Sequence, residues 1–347
     1  MEKRATLNIA GTKINPASSQ LLVSTGIPAL DEKLGGGVPV GGIVLIEEDA
    51  QGSYAKVMMK YFLAEGIVNK HSSYIASLEC DPQEDLFHSL PAQTNTDVED
   101  VNNPMGNNKM SIAFRYQHLP TRDKQIKSSF GHYYDLSKCI SKDLTATADV
   151  KFLKEVVNVD EDPYNELLMD IRSRIFDGDN VLLTGNLATK NVLRLGLHQL
   201  GTPLWGGSVA NLKKFLYYLR ALLRKSFSVA MITIPTHLSE ELKAAFDERL
   251  VYISDIALGL QAFAGTKLER NKSLADYNGF FHFIKIAAIN TLVSKHPGSV
   301  EFTFKLRKKK FSIETLHLPP DLGDDESNKK EAPQLGCGSS TKHLLEF

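Results

Sequence analysis

Residues 24–79 read STGIPALDEKLGGGVPVGGIVLIEEDAQGSYAKVMMKYFLAEGIVNKHSSYIASLE, and this stretch decides the fold. GIVLIEE is a short unbroken apolar run with β-branched residues, the pattern of a strand buried on both faces of a parallel sheet. Ahead of it, a short helix over Pro28 to Leu34 meets the glycine triplet Gly35 to Gly37 and a Val-Pro-Val-Gly-Gly turn. Behind it, Met58, Tyr61, Phe62 and Ile67 recur at helical spacing, which predicts an amphipathic helix starting near Ser53. SYIASLE, Ser73 to Glu79, reads as a second buried strand, so strand, turn, helix and strand make one βαβ unit.

Working outward, residues 163–177 form an amphipathic helix, 192–200 a strand, 210–226 a strong helix and 228–236 a strand. This alternation predicts an α/β fold with a mostly parallel central sheet and helices on both faces. From Asp255 the texture becomes strand after strand (ISDIALGLQAF, FFHFIKIAAINTL, EFTFKLRKKKFSIETLHLPP) with short connections, hence an antiparallel C-terminal strand extension. The expected organisation is a flexible N-terminal segment over 1–23, one domain over 24–320 and a charged, mostly disordered tail over 321–347. Within the domain, a polar surface insertion falls near 91–110, and IAFRYQHL (112–119) follows it as a strand.

Composition sets the bounds. In 347 residues, hydrophobic residues are 42% and charged residues 23%, as in ordinary globular proteins. The formal net charge of −1 excludes a global basic field that would hold nucleic acid unaided, so any such contact needs a local patch or a shared assembly. Three scattered cysteines, Cys80, Cys139 and Cys337, supply neither a disulfide framework nor a CxxC zinc spacing, and fit a reducing compartment. No run approaches the roughly 18 apolar residues that would span a bilayer, and the N-terminus lacks the apolar stretch of a signal peptide. An intracellular protein without membrane contact is expected.

The turn after the first strand decides the chemistry. A phosphate loop, GxxxxGK[ST], wraps phosphates in backbone N–H groups, adds a lysine for their charge and a hydroxyl for Mg²⁺. The pattern falls on Glu48 to Ala55, EDAQGSYA: Glu48 stands at the first glycine, Ser53 at the second, Tyr54 in the lysine slot and Ala55 in the hydroxyl slot. Glu47, Glu48 and Asp49 place three negative charges beside a helix N-terminus that would otherwise attract phosphate. At an effective dielectric near 20, one like-charge contact at 4 Å costs on the order of 4 kcal/mol. Glu48, Gly52, Ser53, Tyr54 and Ala55 thus form a degenerate nucleotide loop, its acidic cluster serving as an N-cap charge or as a contact to a neighbouring subunit. Glu79, at the end of the second strand, stands where a general base would, and VLRLGLHQL ends in His198 and Gln199 rather than a magnesium carboxylate. Lys213, Lys214, Arg220, Arg224 and Lys225 decorate one helix, as a solvated basic face or as a phosphate track. Trp205 reads as a core or interface aromatic.

The run TGIPALDEKLGGGVPVGGIVLI resembles RecA-like ATPase domains of the recombinase and clock-ATPase kind. More closely, GGGVPVGGIVLIEED, IAFRYQHLP, FGHYYDLSK, LRLGLHQLGTPLW, FLYYLRALLR, FKLRKKKFSIETLHLPP and LGCGSS…LLEF resemble, in order, the family of the fourth Elongator subunit. That resemblance implies a RecA-like fold without regular Walker motifs and a heterohexameric ring formed with Elongator subunits five and six. The ring would join a catalytic subcomplex that carries out carboxymethyl-type modification of the tRNA wobble uridine (U34), in the cytoplasm and nucleus. It further implies that the ring binds tRNA near the anticodon, with ATP at the subunit interfaces. Loops 201–208 and 236–250 would face the pore, with His237, Lys243 and Arg249 as candidate tRNA contacts. A divergent ATPase using Glu79 and a rearranged loop is the rival reading.

Overall fold

The computed structural model describes residues 9–16, 18–94, 130–153, 162–178, 180–182, 190–290 and 301–316. All lie in one compact unit that ends at Leu316. The strands are β1 (Thr12–Ile14), β2 (Leu21–Val23), β3 (Val38–Pro39), β4 (Ile43–Glu47), β5 (Ser72–Ala76), β6 (Pro91–Thr94) and β7 (Tyr133–Cys139). They continue with β8 (Val150–Leu153), β9 (Leu193–Leu197), β10 (Ser228–Ile234), β11 (Ile256–Ala262), β12 (Gly279–Lys285), β13 (Phe302–Leu306) and β14 (Phe311–Thr315). The helices are α1 (Pro28–Lys33), α2 (Ser53–Val68), α3 (Lys142–Ala146), α4 (Pro163–Asp177), α5 (Val209–Leu223), α6 (Glu240–Ala245) and α7 (Val251–Ile253).

Among the described residues, nine strands form the central sheet in the order β14-β13-β12-β11-β4-β10-β9-β5-β8. From β11 to β8 every pairing is parallel, and β12, β13 and β14 extend the β11 side antiparallel. This is the RecA-like arrangement expected, with β4 central. Side chains alternate across it: Val44 and Ile46 face α2, while Ile43 and Leu45 face α4 and α5. Both faces are covered, which is why β4 reads as an unbroken apolar run.

Three elements differ from the sequence reading. Part of the segment expected to be flexible, 1–23, is strand: β1 pairs with β2 and β2 with β3, which buries Leu22 and Val23. Pro91–Thr94, the start of the expected insertion, is β6, paired with β7; 95–110, IAFRYQHL and the tail lie outside the described residues. The helix expected to be amphipathic, α2, is buried nearly all round. Its outer face meets β7, with the Tyr61 and Tyr134 rings 5.8 Å apart.

That burial is possible because the polar groups of α2 find partners. Arg194 on β9 is 0% exposed and donates to the carbonyls of Ser24 and Phe62, both at 2.9 Å, and to His71 Nδ1 at 3.0 Å. Its guanidinium lies 4.7 Å from the Phe62 ring centre. Gly66 leaves the room: a Cβ there would stand 2.7 Å from Arg194 Cδ. Glu65 accepts from Tyr134 Oη at 2.7 Å, from the His132 N–H at 3.2 Å and from Asn69 Nδ2 at 2.8 Å. Hydrogen bonds from His132 and Tyr134 and the Arg194 charge outweigh burial and hold the Glu65 carboxyl down at about 2.

An arginine only donates, so His71 Nδ1 is an acceptor and its proton sits on Nε2, donated to the Ala10 carbonyl at 2.8 Å. Burial, and next the Arg194 charge, push the His71 imidazole down to about 3. An unfolded histidine takes a proton below about pH 6.5, whereas folded His71 refuses it until about pH 3. Stability therefore falls with pH across that window, by up to about 1.4 kcal/mol per pH unit for one proton. His71→Gln, which keeps an acceptor and a donor, should flatten the decline in melting temperature between pH 6.5 and 4. Part of the slope should remain, because burial also lowers His198, to about 4.

Candidate functional site

In open α/β sheets, ligands bind outside the carboxyl ends of the strands, where neighbouring strands send their connections to opposite faces. β4 and β10 are such neighbours: the loop after β4 leads to α2 on one face, and the segment after β10 packs Leu242, Phe246 and Leu250 on the other. Glu48 and Gly52 lie on the turn after β4, Ser53, Tyr54 and Ala55 in the first turn of α2, His237 on the turn after β10 and Lys243 in α6; Arg249 lies further on, in the helical stretch Phe246–Leu250 that leads back to the start of β11.

The crevice is stitched shut by side chains of the chain itself. Glu47 accepts from Thr236 Oγ1 at 2.6 Å and from Lys243 Nζ at 2.7 Å, which ties the end of β4 to α6. Glu48 is 3% exposed and accepts from Gln199 Nε2 at 2.9 Å. Gly52 opens α2 with φ of 64°, and a Cβ there would stand 3.0 Å from Gln199 Nε2 and 3.3 Å from Glu48 Oε2. Ser53 is exposed.

Asp49, also 3% exposed, accepts from the Gln51 N–H at 3.1 Å and from the Tyr54 N–H. The Tyr54 N–H is a first-turn donor of α2 and the Gln51 N–H lies in the turn just ahead of it, the place where a phosphate would bind at a helix N-terminus. The helix thus carries its own anion. In the lysine slot, the Tyr54 ring packs edge-on against Phe304 at 4.7 Å between centres, with its hydroxyl bonded to Asn278. Ala55, in the hydroxyl slot, is fully buried. The cation and the hydroxyl of a working loop are replaced by core contacts.

Crowding these carboxylates has an electrostatic cost. Burial is the largest cause pushing the Glu48 carboxyl up to about 7; repulsion from Asp49 and Glu79 adds to it, against hydrogen bonds from Thr233 and Gln199. Burial raises Asp49 as well, opposed by its backbone hydrogen bonds and by His237 nearby.

The candidate tRNA contacts differ in availability. Lys243 is 45% exposed and already holds two carboxylates, Glu47 at 2.7 Å and Asp247 at 3.0 Å. Its role in this chain is a bridge between α6 and β4. Arg249 and His237 are exposed, and Arg249 has no ion pair among the described residues. On α5, Arg224 and Arg220 turn to the buried Asp255, whose Oδ2 accepts from the Ile43 N–H at 2.9 Å, so two of the five basic residues of that helix brace the sheet. Lys214 and Lys225 remain exposed. Trp205 is core, stacked on Tyr164 at 6.3 Å. His198 Nδ1 lies 3.2 Å from Ser77 Oγ and 3.9 Å from Cys80 Sγ. Among the described residues no cluster of His, Cys, Asp or Glu is placed to hold a metal ion.

Sequence reasoning missed Gln199 as the partner of Glu48 and Thr236 with Lys243 as partners of Glu47. The pairs are separated by 151, 189 and 196 residues, and nothing local signals them.

Because folding raises the Glu48 carboxyl, its contribution is fully present below the unfolded value near 4.5 and is lost as pH rises through about 7. Glu48→Gln removes that dependence and should stabilise the chain at pH 8, by at most on the order of 3 kcal/mol, with little effect at pH 5. Urea unfolding at the two pH values reads the difference.

The family described as PAXNEB protein matches residues 5–347. Elongator complex protein 4 of Homo sapiens is 40% identical, covering 98% of this chain and 89% of the relative. The Xenopus laevis protein of that name is 38% identical over 97% of this chain and 92% of its own. The Saccharomyces cerevisiae protein is 23% identical over 96% and 82%. With a family match along nearly its whole length and relatives that share one name from human to yeast, this chain belongs to the PAXNEB family, that of Elongator complex protein 4.

Proposed function

We propose that this chain is a non-catalytic subunit of the Elongator complex. It assembles with Elongator subunits five and six into a heterohexameric RecA-like ring that engages tRNA and supports carboxymethyl-type modification of the wobble uridine, the chemistry residing in the catalytic subcomplex. It works in the cytoplasm and nucleus. The observation that carries the non-catalytic part is Asp49: a buried carboxylate of the chain takes the Gln51 N–H of the loop and the Tyr54 N–H of the first turn of α2, at the place where a phosphate loop offers backbone N–H groups to nucleotide. Tyr54 and Ala55, locked into the core, leave no lysine or hydroxyl for a triphosphate and its magnesium. Relatives named for the Elongator complex support the assembly.

Two measurements on the reconstituted ring test this reading. Glu79→Gln should leave ATP turnover unchanged, since a base at the end of β5 faces no bound phosphate; a fall in turnover returns the chain to the divergent-ATPase reading. Arg249→Glu should weaken tRNA binding roughly threefold to tenfold and lower the salt slope by about 1, the loss of one phosphate contact, while the ring still assembles. Unchanged affinity and slope remove Arg249 from the tRNA surface.

A further inference from the structure

A chain of net charge −1 gathers charge of one sign on α5. From Val209 to Lys225 it holds Lys213, Lys214, Arg220, Arg224 and Lys225 and no acidic residue. Ser208 caps the helix, and Leu212, Phe215, Leu216, Leu219 and Leu223 bury one stripe of it against the sheet. Asp255 answers both Arg220 and Arg224 with a single carboxylate. Lys213, Lys214 and Lys225 pair with no carboxylate among the described residues.

Two tyrosines stand between these lysines. Tyr217 is 64% exposed and Tyr218 is 48% exposed. Lys214 lies one turn before them and Lys225 two turns after Tyr218, so the lysines and the rings share a face of the helix. The two rings meet edge to face, with 5.9 Å between centres and 74° between planes, and no other ring packs on them among the described residues. The buried stripe lies on the other side of α5, so core packing does not account for them. Across a shallow dimple, Asp162, Asn165 and Leu168 flank Lys214 and Tyr218. Asp162 is engaged as the cap of α4, accepting from the Tyr164 N–H at 3.1 Å.

The combination selects the occupant. Lysine is depleted where two proteins bury an interface, and an acidic peptide would satisfy the lysines while leaving the rings unused. Lysines without counter-ions attract phosphates, and open aromatic rings stack on bases that are not already paired. We propose that the outer face of α5 binds unpaired RNA, with bases stacked on Tyr217 and Tyr218 and phosphates held by Lys214 and Lys225. This rests on the reading above that the ring engages tRNA, and it adds a contact on a helix face.

Fluorescence anisotropy on the reconstituted ring tests it, with a labelled tRNA, a short single-stranded RNA and the matching duplex as probes. Tyr217→Ala combined with Tyr218→Ala should weaken single-strand binding at least fivefold, the loss of one stacked base, and leave the salt slope unchanged. Duplex binding should change less than twofold. Tyr217→Phe with Tyr218→Phe should keep the single-strand affinity, because the ring stacks without its hydroxyl. Lys214→Ala should lower the salt slope by about 0.7, one phosphate contact on a single strand. Unchanged single-strand affinity in the alanine pair overturns the proposal, and weaker tRNA binding by Arg249→Glu in the same assay keeps the tRNA reading standing. An alanine pair that no longer assembles into the ring also overturns it, since the face is then a contact between protein chains. If the unaltered ring binds neither tRNA nor the single strand, both readings fall.

Discussion

A charged group with no access to water has to be surrounded by partners, and Arg194 imposes that demand on most of the molecule. Its three donor contacts reach the segment before α1, a carbonyl in the middle of α2 and a histidine at the start of β5. Glu65, one turn along α2, balances the charge and gathers Tyr134 and His132 from β7. One buried cation thus fixes how the first strands, α2 and the β6–β7 pair sit on the parallel sheet. Removing either group would leave the other buried without its compensating charge. The same network holds the N-terminal residues through His71 and Ala10.

At the other end of α2, charge is used in the opposite sense. Asp49 and Glu48 sit where a RecA-like sheet receives nucleotide, and burial raises both carboxyls, with repulsion from Asp49 adding to it at Glu48. The Gln51 and Tyr54 N–H groups and the Gln199 amide give these carboxylates part of what water would otherwise supply. Glu47, Thr236 and Lys243 join the turns after β4 and β10. What remains at the edge is a polar surface closed by the chain's own side chains.

Much of the fold was legible because its signals are local. Helix α4 starts and stops where its sequence says: Asp162 caps it, Pro163 takes the first turn and Gly178 ends it. The alternation of apolar runs and helical faces gave the parallel sheet, and the hairpins after Asp255 gave its extension. The degenerate loop could be read from slot occupancy alone. What could not be read are facts about distant partners. Arg194 interrupts LRLGL like a surface residue until Glu65 and His71 are beside it. Lys243 looks like a free cation until Glu47 arrives from the far end of the chain. α2 looks amphipathic because its outer polar groups give no sign that β7 will cover them, and the apolar Leu21–Val23 only becomes a strand once Val38 pairs with it.

The Tyr54–Phe304 contact has an evolutionary consequence. Restoring a lysine at position 54 alone would drive an ammonium into an aromatic core beside β13, and restoring a hydroxyl at Ala55 alone would bury it where no volume is free. Replacing Asp49 alone would leave the Gln51 and Tyr54 N–H groups without their carboxylate while Tyr54 still filled the lysine slot. Each reversion is harmful until the others are made, so neighbouring sites are strongly epistatic. The loop is thus held by mutual contacts: a single exchange at 49, 54 or 55 disturbs neighbours that the other two positions keep in place.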